Sequence, residues 1–174
     1  MPRNIVLIGF MGTGKSVVGR LLAQRLGRPF VDLDARIEQE AGQPIRKIFA
    51  ALGEAAFRIR EAQMIQRVTE QAGQVIATGG GAVLDDSNVA ALRRVGWLVW
   101  LKADPDVILQ RIGRTRGERP LLDVDDPKAR VSELLAMRQA GYAKADAVVE
   151  TSSRFVEDVV DDILRHLPDE ERAA

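Results

Sequence analysis

Apolar and polar positions along the 174-residue chain fall into two alternating rhythms. Short apolar runs at Asn4–Ile8, Pro29–Leu33, Gln74–Ala77, Trp97–Leu101 and Ala147–Glu150 have the length of buried strands. Between them, apolar residues return at three- and four-residue spacing, the period of a helix with one buried face. From Lys15 to Leu26 that face carries Val18, Leu21, Leu22 and Leu26, and Gly27 supplies a stop. Pro44 suits the first turn of a helix bearing Ile45, Ile48, Phe49 and Leu52. A second pattern runs from Glu54 to Gln71 through Phe57, Met64, Ile65 and Val68. Asp104-Pro105 and Asp126-Pro127 each read as a cap plus a first helical residue, opening helices through Val107–Ile112 and on to Tyr142. Phe155–Leu167 is the last helix. Alternation of this kind predicts an α/β fold with a parallel, doubly wound sheet, helices on both faces and right-handed crossovers. No repeat, low-complexity tract or linker divides the chain, so residues 1–174 read as one domain. The polar tail Pro168–Ala174 is expected to fray.

The first apolar run leads directly into Gly9–Ser16, G-F-M-G-T-G-K-S, a complete G-x-x-x-x-G-K-[ST] phosphate loop. Its glycines let backbone N–H groups turn inward around phosphate oxygens, its lysine reaches the terminal phosphates, and its serine hydroxyl ligates Mg2+. The helix that follows points its N-terminus, the anion-favouring end of its dipole, at the same place. An ordinary glycine-rich strand-to-helix turn is the plain alternative. The loop and its context together predict a nucleoside triphosphate site.

Composition narrows the classes further. At 46% hydrophobic and 29% charged, the chain is globular rather than disordered. Lys plus Arg and Asp plus Glu number 25 each, so no global field recruits nucleic acid or an anionic membrane. The absence of Cys excludes disulfides, zinc ribbons and thiol catalysis, and fits a reducing compartment. Its apolar runs are strand-sized, and no signal peptide precedes the first. The expectation is a cytoplasmic monomer without nucleic-acid or membrane partners.

Three more constellations sit where strands should end, the place at which open α/β sheets bind ligands. In Asp32-Leu33-Asp34, strand alternation would send both carboxylates to one side, one toward Mg2+ and one toward a substrate hydroxyl. Capping by Asp34 of a helix over 35–40 is the competing reading. Thr78-Gly79-Gly80-Gly81 suggests backbone approaching a ligand closely, or a flexible turn. Arg111, Arg114, Arg116 and Arg119 face a single acid, Glu118, before Asp123. That segment reads as a lid closing on phosphates, or as a solvated charged loop. Arg58 and Glu61 share a helical face, an arrangement a simple ion pair also explains. Trp97, Trp100 and Phe155 read as core or strand-face residues, and His166 as a helix-end cation without a catalytic role.

Taken in order, these motifs resemble the shikimate kinases from about Arg3 to Leu167. They are the phosphate loop, D-L-D at Asp32–Asp34, G-E-A-A-F-R-I-R-E ending at Glu61, T-G-G-G-A-V from Thr78 and E-R-P-L-L from Glu118. The phosphate loop is shared widely; F-R-x-x-E followed by three glycines is not. The resemblance implies a nucleoside-monophosphate-kinase-like P-loop fold with five parallel strands, a shikimate-binding region about 34–61 and an Arg-rich lid about 112–124. It implies transfer of the ATP γ-phosphate to the 3-hydroxyl of shikimate, on the route to chorismate and aromatic amino acids.

Carried over by position, Gly12, Thr13, Gly14, Lys15, Ser16 and Val17 would hold the phosphates, with Ser16 and Asp32 serving Mg2+. Asp34 would hydrogen-bond the substrate hydroxyls and act as base. Arg58 and Arg138 would clamp the shikimate carboxylate, Glu61 would hold Arg58, and Gly79, Gly80 and Gly81 would line that pocket. Arg119 would reach the phosphates from the lid as the third catalytic residue beside Lys15 and Asp34. Arg111 would pack on adenine, and Arg154 is a further contact there. Two departures stand out: Val17 where the family commonly has Thr, and no proline in Ser152–Val156 before the last helix. Competing readings are a gluconate or nucleoside kinase on the same fold, and a nucleotide-binding switch without transfer.

Overall fold

The computed structural model describes residues 2–113 and 120–172. Its strands are β1 (Asn4–Ile8), β2 (Phe30–Asp32), β3 (Val75–Ala77), β4 (Gly96–Lys102) and β5 (Ala147–Glu150). All pair in parallel, in the order β2-β3-β1-β4-β5. Because successive side chains face opposite ways, the apolar runs of β1, β3 and β4 feed two cores. Val6, Ile8, Ile76, Leu98 and Trp100 face one side. Ile5, Leu7, Val75, Val99 and Leu101 face the other.

On the first side lie α2 (Leu33–Ala41), α3 (Ile45–Val68) and α4 (Asp86–Val95), contributing Ile37, Phe57, Ile65, Val89 and Leu92. On the second lie α1 (Lys15–Leu26) and α7 (Val156–His166), contributing Val18, Leu22, Leu26, Val159 and Ile163. A third cluster joins α5 (Pro105–Ile112) and α6 (Pro127–Tyr142) to Phe10 of the phosphate loop through Ile108, Ile112, Val131 and Leu134. This cluster braces the loop from the outside. A short α8 (Asp169–Arg172) ends the described chain.

Several sequence expectations change. The third helix is continuous in outline but breaks at Gly53, whose φ of 80° and ψ of 172° lie outside the helical region. The two sequence patterns on either side of it were the signal. Helix α4 had not been singled out; Asp85 caps it by accepting from Ser87 N–H. Strand β2 stops at Asp32, and Leu33 already opens α2, so strand alternation does not set the direction of Asp34. Asp32, not Asp34, is the N-cap, accepting from Ala35 N–H at 3.3 Å. Phe155 is 79% exposed rather than core, because it stands at the start of α7 outside its apolar face. The tail is docked through residue 172: Glu171 is buried against Arg28 and the Arg3 backbone, a charge pairing that overrides its polar composition.

Candidate active site

The phosphate loop leaves the carboxyl end of β1 with Gly9, Gly12 and Gly14 at φ of 145°, 79° and 95°. A Cβ at Gly9 would run into the Leu101 carbonyl, so that position needs both the dihedral and the missing side chain. Gly14 opens α1 without any side-chain cap, which leaves first-turn N–H groups for an anion. The Lys15 ammonium hydrogen-bonds the Gly9 and Phe10 carbonyls at 2.8 and 2.9 Å, inside the loop it would serve. Thr13 is buried and its hydroxyl donates to Phe10 O, so any phosphate contact it makes falls to its backbone. Val17 exposes an apolar side chain beside the loop. Ser16 Oγ donates to Asp32 Oδ2 at 2.5 Å, joining the two oxygen donors expected to serve the metal.

Arg111 ties the loop to the end of β5. Its guanidinium donates to Gly12 O at 3.1 Å and to Thr151 O at 2.9 Å. Arg154 is drawn elsewhere, to Asp162 at 2.8 Å and to the Asp158 carbonyl of α7. Arg119, with Arg114, Arg116 and Glu118, lies outside the described residues, as does the middle of the expected lid, residues 114–119.

A cleft of ≈830 Å³ runs from this loop to α2 and α3. Lys15, Ser16 and Asp32 line one part of it; Asp34, Arg58, Glu61, Gly79, Gly80, Gly81 and Arg138 line the rest. The three glycines are explained side chain by side chain. A Cβ at Gly79 would collide with Glu61 Oε1 and stand 3.0 Å from Asp34 Oδ1. One at Gly80 would lie 3.2 Å from Arg138 Nη1, and one at Gly81 would collide with the Arg58 guanidinium. Each absent side chain makes room for a charged group of the cleft.

Arg58 is held on both sides by acids of its own helix. Nη1 donates to Glu61 at 2.7 Å, and Nη2 to Glu54 at 3.1 Å. Glu61 is fully buried, and burial pushes its carboxyl above the ordinary range against the pull of Arg58 and Arg138. Arg138 is 1% exposed, stacked at 5.1 Å on the Phe10 ring, with Nε and Nη1 lacking hydrogen-bond partners. Each unmet buried donor costs about 1–3 kcal/mol, so Arg138 holds a charge and two donors that a carboxylate in the cleft would satisfy. Glu54 and Tyr142 were missed as site residues. Glu54 had a signal, its four-residue spacing from Arg58. Tyr142 had none, since its hydroxyl partner, Gly80 O, is 62 positions away.

A family model for shikimate kinase matches residues 11–168. A shikimate kinase of Symbiobacterium thermophilum is 50% identical over 94% of this chain and 95% of its own. One from Thermodesulfovibrio yellowstonii is 46% identical over 94% of each. Among solved structures, a shikimate kinase from Acinetobacter baumannii in complex with shikimate superposes with a TM-score of 0.91 at 38% identity, covering 95% of this chain and 92% of its own. A gluconokinase from Sinorhizobium meliloti, at 20% identity and a TM-score of 0.62, shares the fold alone. On sequence, fold and the contents of its cleft, the chain belongs to the shikimate kinase family.

Proposed function

We propose that this chain transfers the γ-phosphate of ATP to the 3-hydroxyl of shikimate, giving shikimate 3-phosphate and ADP. The observation that carries it is one continuous cleft with a phosphate loop at one part and two arginines, Arg58 and Arg138, at the other. A planar carboxylate is the ligand that two guanidiniums suit best, because each presents parallel donors.

In this reading Arg138 and Arg58 bind the acceptor carboxylate. Arg58 exchanges its half-exposed partner Glu54 for the substrate, at little cost, since exposed pairs contribute only about 0–1 kcal/mol. Asp34 accepts the proton of the attacking hydroxyl as its oxygen bonds to phosphorus and the bond to ADP breaks. Lys15 leaves its loop carbonyls to meet the charge on the transferring group, and Arg119 meets it from the lid, about residues 112–124. Preorganised donors of this kind contribute several kcal/mol to the transition state. Ser16 and Asp32, an all-oxygen pair at the loop, suit Mg2+, which takes one or two protein oxygens beside substrate phosphates. When bound, Mg2+ would neutralise charge on the phosphate oxygens. Arg111, fixed between Gly12 and Thr151, supplies a face for the base; Arg154, turned onto α7, is the weaker assignment. A cytoplasmic monomer forming a single kinase domain is taken as the active unit. Among the described residues, no helix is long and apolar enough to cross a membrane.

The test is a coupled assay of ADP release with MgATP, with and without shikimate. Release stimulated by shikimate is expected; release indifferent to shikimate and stimulated by gluconate would overturn the reading.

A further inference from the structure

Tyr142 is fully buried at the end of α6, yet its hydroxyl reaches two parts of the cleft. It donates to Gly80 O at 2.5 Å, and the charge of the Arg138 guanidinium one turn earlier on the same helix acts on its oxygen. Its ring stacks on Trp100 of β4, centroids 5.4 Å apart at 22°, so the phenol oxygen is aimed by the sheet. Gly80 is itself wedged: a Cβ there would lie 3.1 Å from Met11 N on the phosphate loop and 3.2 Å from Arg138 Nη1. The hydroxyl therefore fixes the Gly80 peptide, against which the arginine with donors left over is packed.

We propose that Tyr142 is a positioning residue of the acceptor site, aligning Arg138 and the Gly80 peptide for the substrate carboxylate. This rests on the reading of Arg138 as that carboxylate's partner. The hydroxyl's one proton goes to Gly80 O, which leaves its lone pairs in the positive field of Arg138. Burial pushes the phenol pKa up to about 12, so the donor stays protonated around neutral pH. With the Gly80 peptide held by Tyr142 and Arg138 Nη1 packed beside it, the Arg138 fork has a defined orientation before substrate arrives. Pre-orientation lowers the ordering cost of binding.

The test is Tyr142→Phe, which keeps the ring, the Trp100 stack and the buried volume. The KM for shikimate is expected to rise roughly threefold to tenfold, the effect of one hydrogen bond, while the KM for ATP stays within about twofold. Combined with Arg138→Lys, the change should add nothing beyond Arg138→Lys alone, because Tyr142 acts through that side chain. An unchanged shikimate KM in Tyr142→Phe, while Arg138→Lys raises it, would overturn the role of Tyr142 and leave the clamp standing. If Arg138→Lys weakened ATP use and not shikimate use, the clamp itself would fall, and this inference with it. Trp100→Phe disturbs the same packing but keeps the hydroxyl; an equal rise there, or loss of cooperative melting in Tyr142→Phe, would reduce Tyr142 to a structural residue.

Discussion

Asp32 and Asp34 stand two positions apart and differ in role because α2 begins between them. Asp32 caps the helix and accepts from Ser16, whereas Asp34 sits in the first turn and lines the acceptor part of the cleft. Asp34→Asn should therefore lower kcat by roughly 10²–10⁴, the usual contribution of a general base. Stability should fall only by the first-turn charge effect, about 0.3–1 kcal/mol or roughly 1–4 °C in melting temperature. Kinetics and melting on the same variant check this, and a near-normal kcat would remove Asp34 as the base. Glu61 gives a prediction in pH. Burial raises its carboxyl, so it takes up a proton closer to neutrality than an ordinary glutamate, and protonation removes a charge partner of Arg58. The shikimate KM is expected to climb as pH falls from neutrality toward the ordinary carboxylate range, with the ATP KM flat. Stability runs the other way. A raised acid binds its proton more tightly in the folded state, so this group's contribution is complete below the ordinary value and lost as pH rises through the folded one. The acid-side loss of shikimate use is thus not unfolding caused by Glu61. Glu61→Gln should flatten the profile, and a rise that persists in that variant would belong to the substrate's own carboxyl.

The elements were legible where one-dimensional signals match their physical cause. Strands buried on both faces are continuous apolar runs, and Gly27, Pro105 and Asp126-Pro127 mark helix ends by local chemistry that needs no tertiary context; Asp104 holds the N-cap position of α5, but its side chain makes no capping hydrogen bond. The exit from β2 was not legible, because Leu33 is apolar whether it ends a strand or starts a helix; the cap formed by Asp32 decides it. Arg138 could be placed only by resemblance, since no local pattern shows that α6 turns a guanidinium inward to 1% exposure. The three glycines were visible as an anomaly, and their reason is three-dimensional. Gly81 has ordinary backbone angles, φ −99° and ψ 2°, so its requirement is the space taken by Arg58. Gly81→Ala should then raise the shikimate KM by displacing Arg58, more than it lowers the melting temperature. Gly53 is the opposite case, with φ of 80° and nothing within 4 Å of its missing Cβ. Gly53→Ala should cost about 1–3 kcal/mol through backbone strain, or roughly 2–12 °C. Titrating shikimate and ATP beside melting curves on both variants separates the two causes; a melting loss confined to Gly81→Ala would refute the assignment.

Across the whole molecule, function and stability sit at opposite ends of the sheet. Every cleft residue lies at or beyond the carboxyl ends of the strands, whereas Arg3, Arg28, Arg93 and Gly96 precede or begin strands at the amino ends. There Glu171 of α8 accepts from the Arg3 backbone N–H at 2.9 Å and from Arg28 Nη2 at 3.1 Å. Arg28 also donates to the carbonyls of Arg3 and Glu171, and the Arg3 guanidinium binds those of Arg93 and Gly96. The Arg28–Glu171 side chains are each 4% exposed, so this clasp joins the chain's two ends out of water. Removing one partner of a buried pair leaves the other charge uncompensated, a loss of about 3–5 kcal/mol. Glu171→Ala is therefore expected to lower the melting temperature by roughly 6–20 °C. Well below that temperature, kcat and both KM values should match the parent, because no cleft residue touches the clasp. An unchanged melting curve would mean the docked tail contributes nothing. A fall in kcat without a melting loss would show the two ends of the sheet to be coupled.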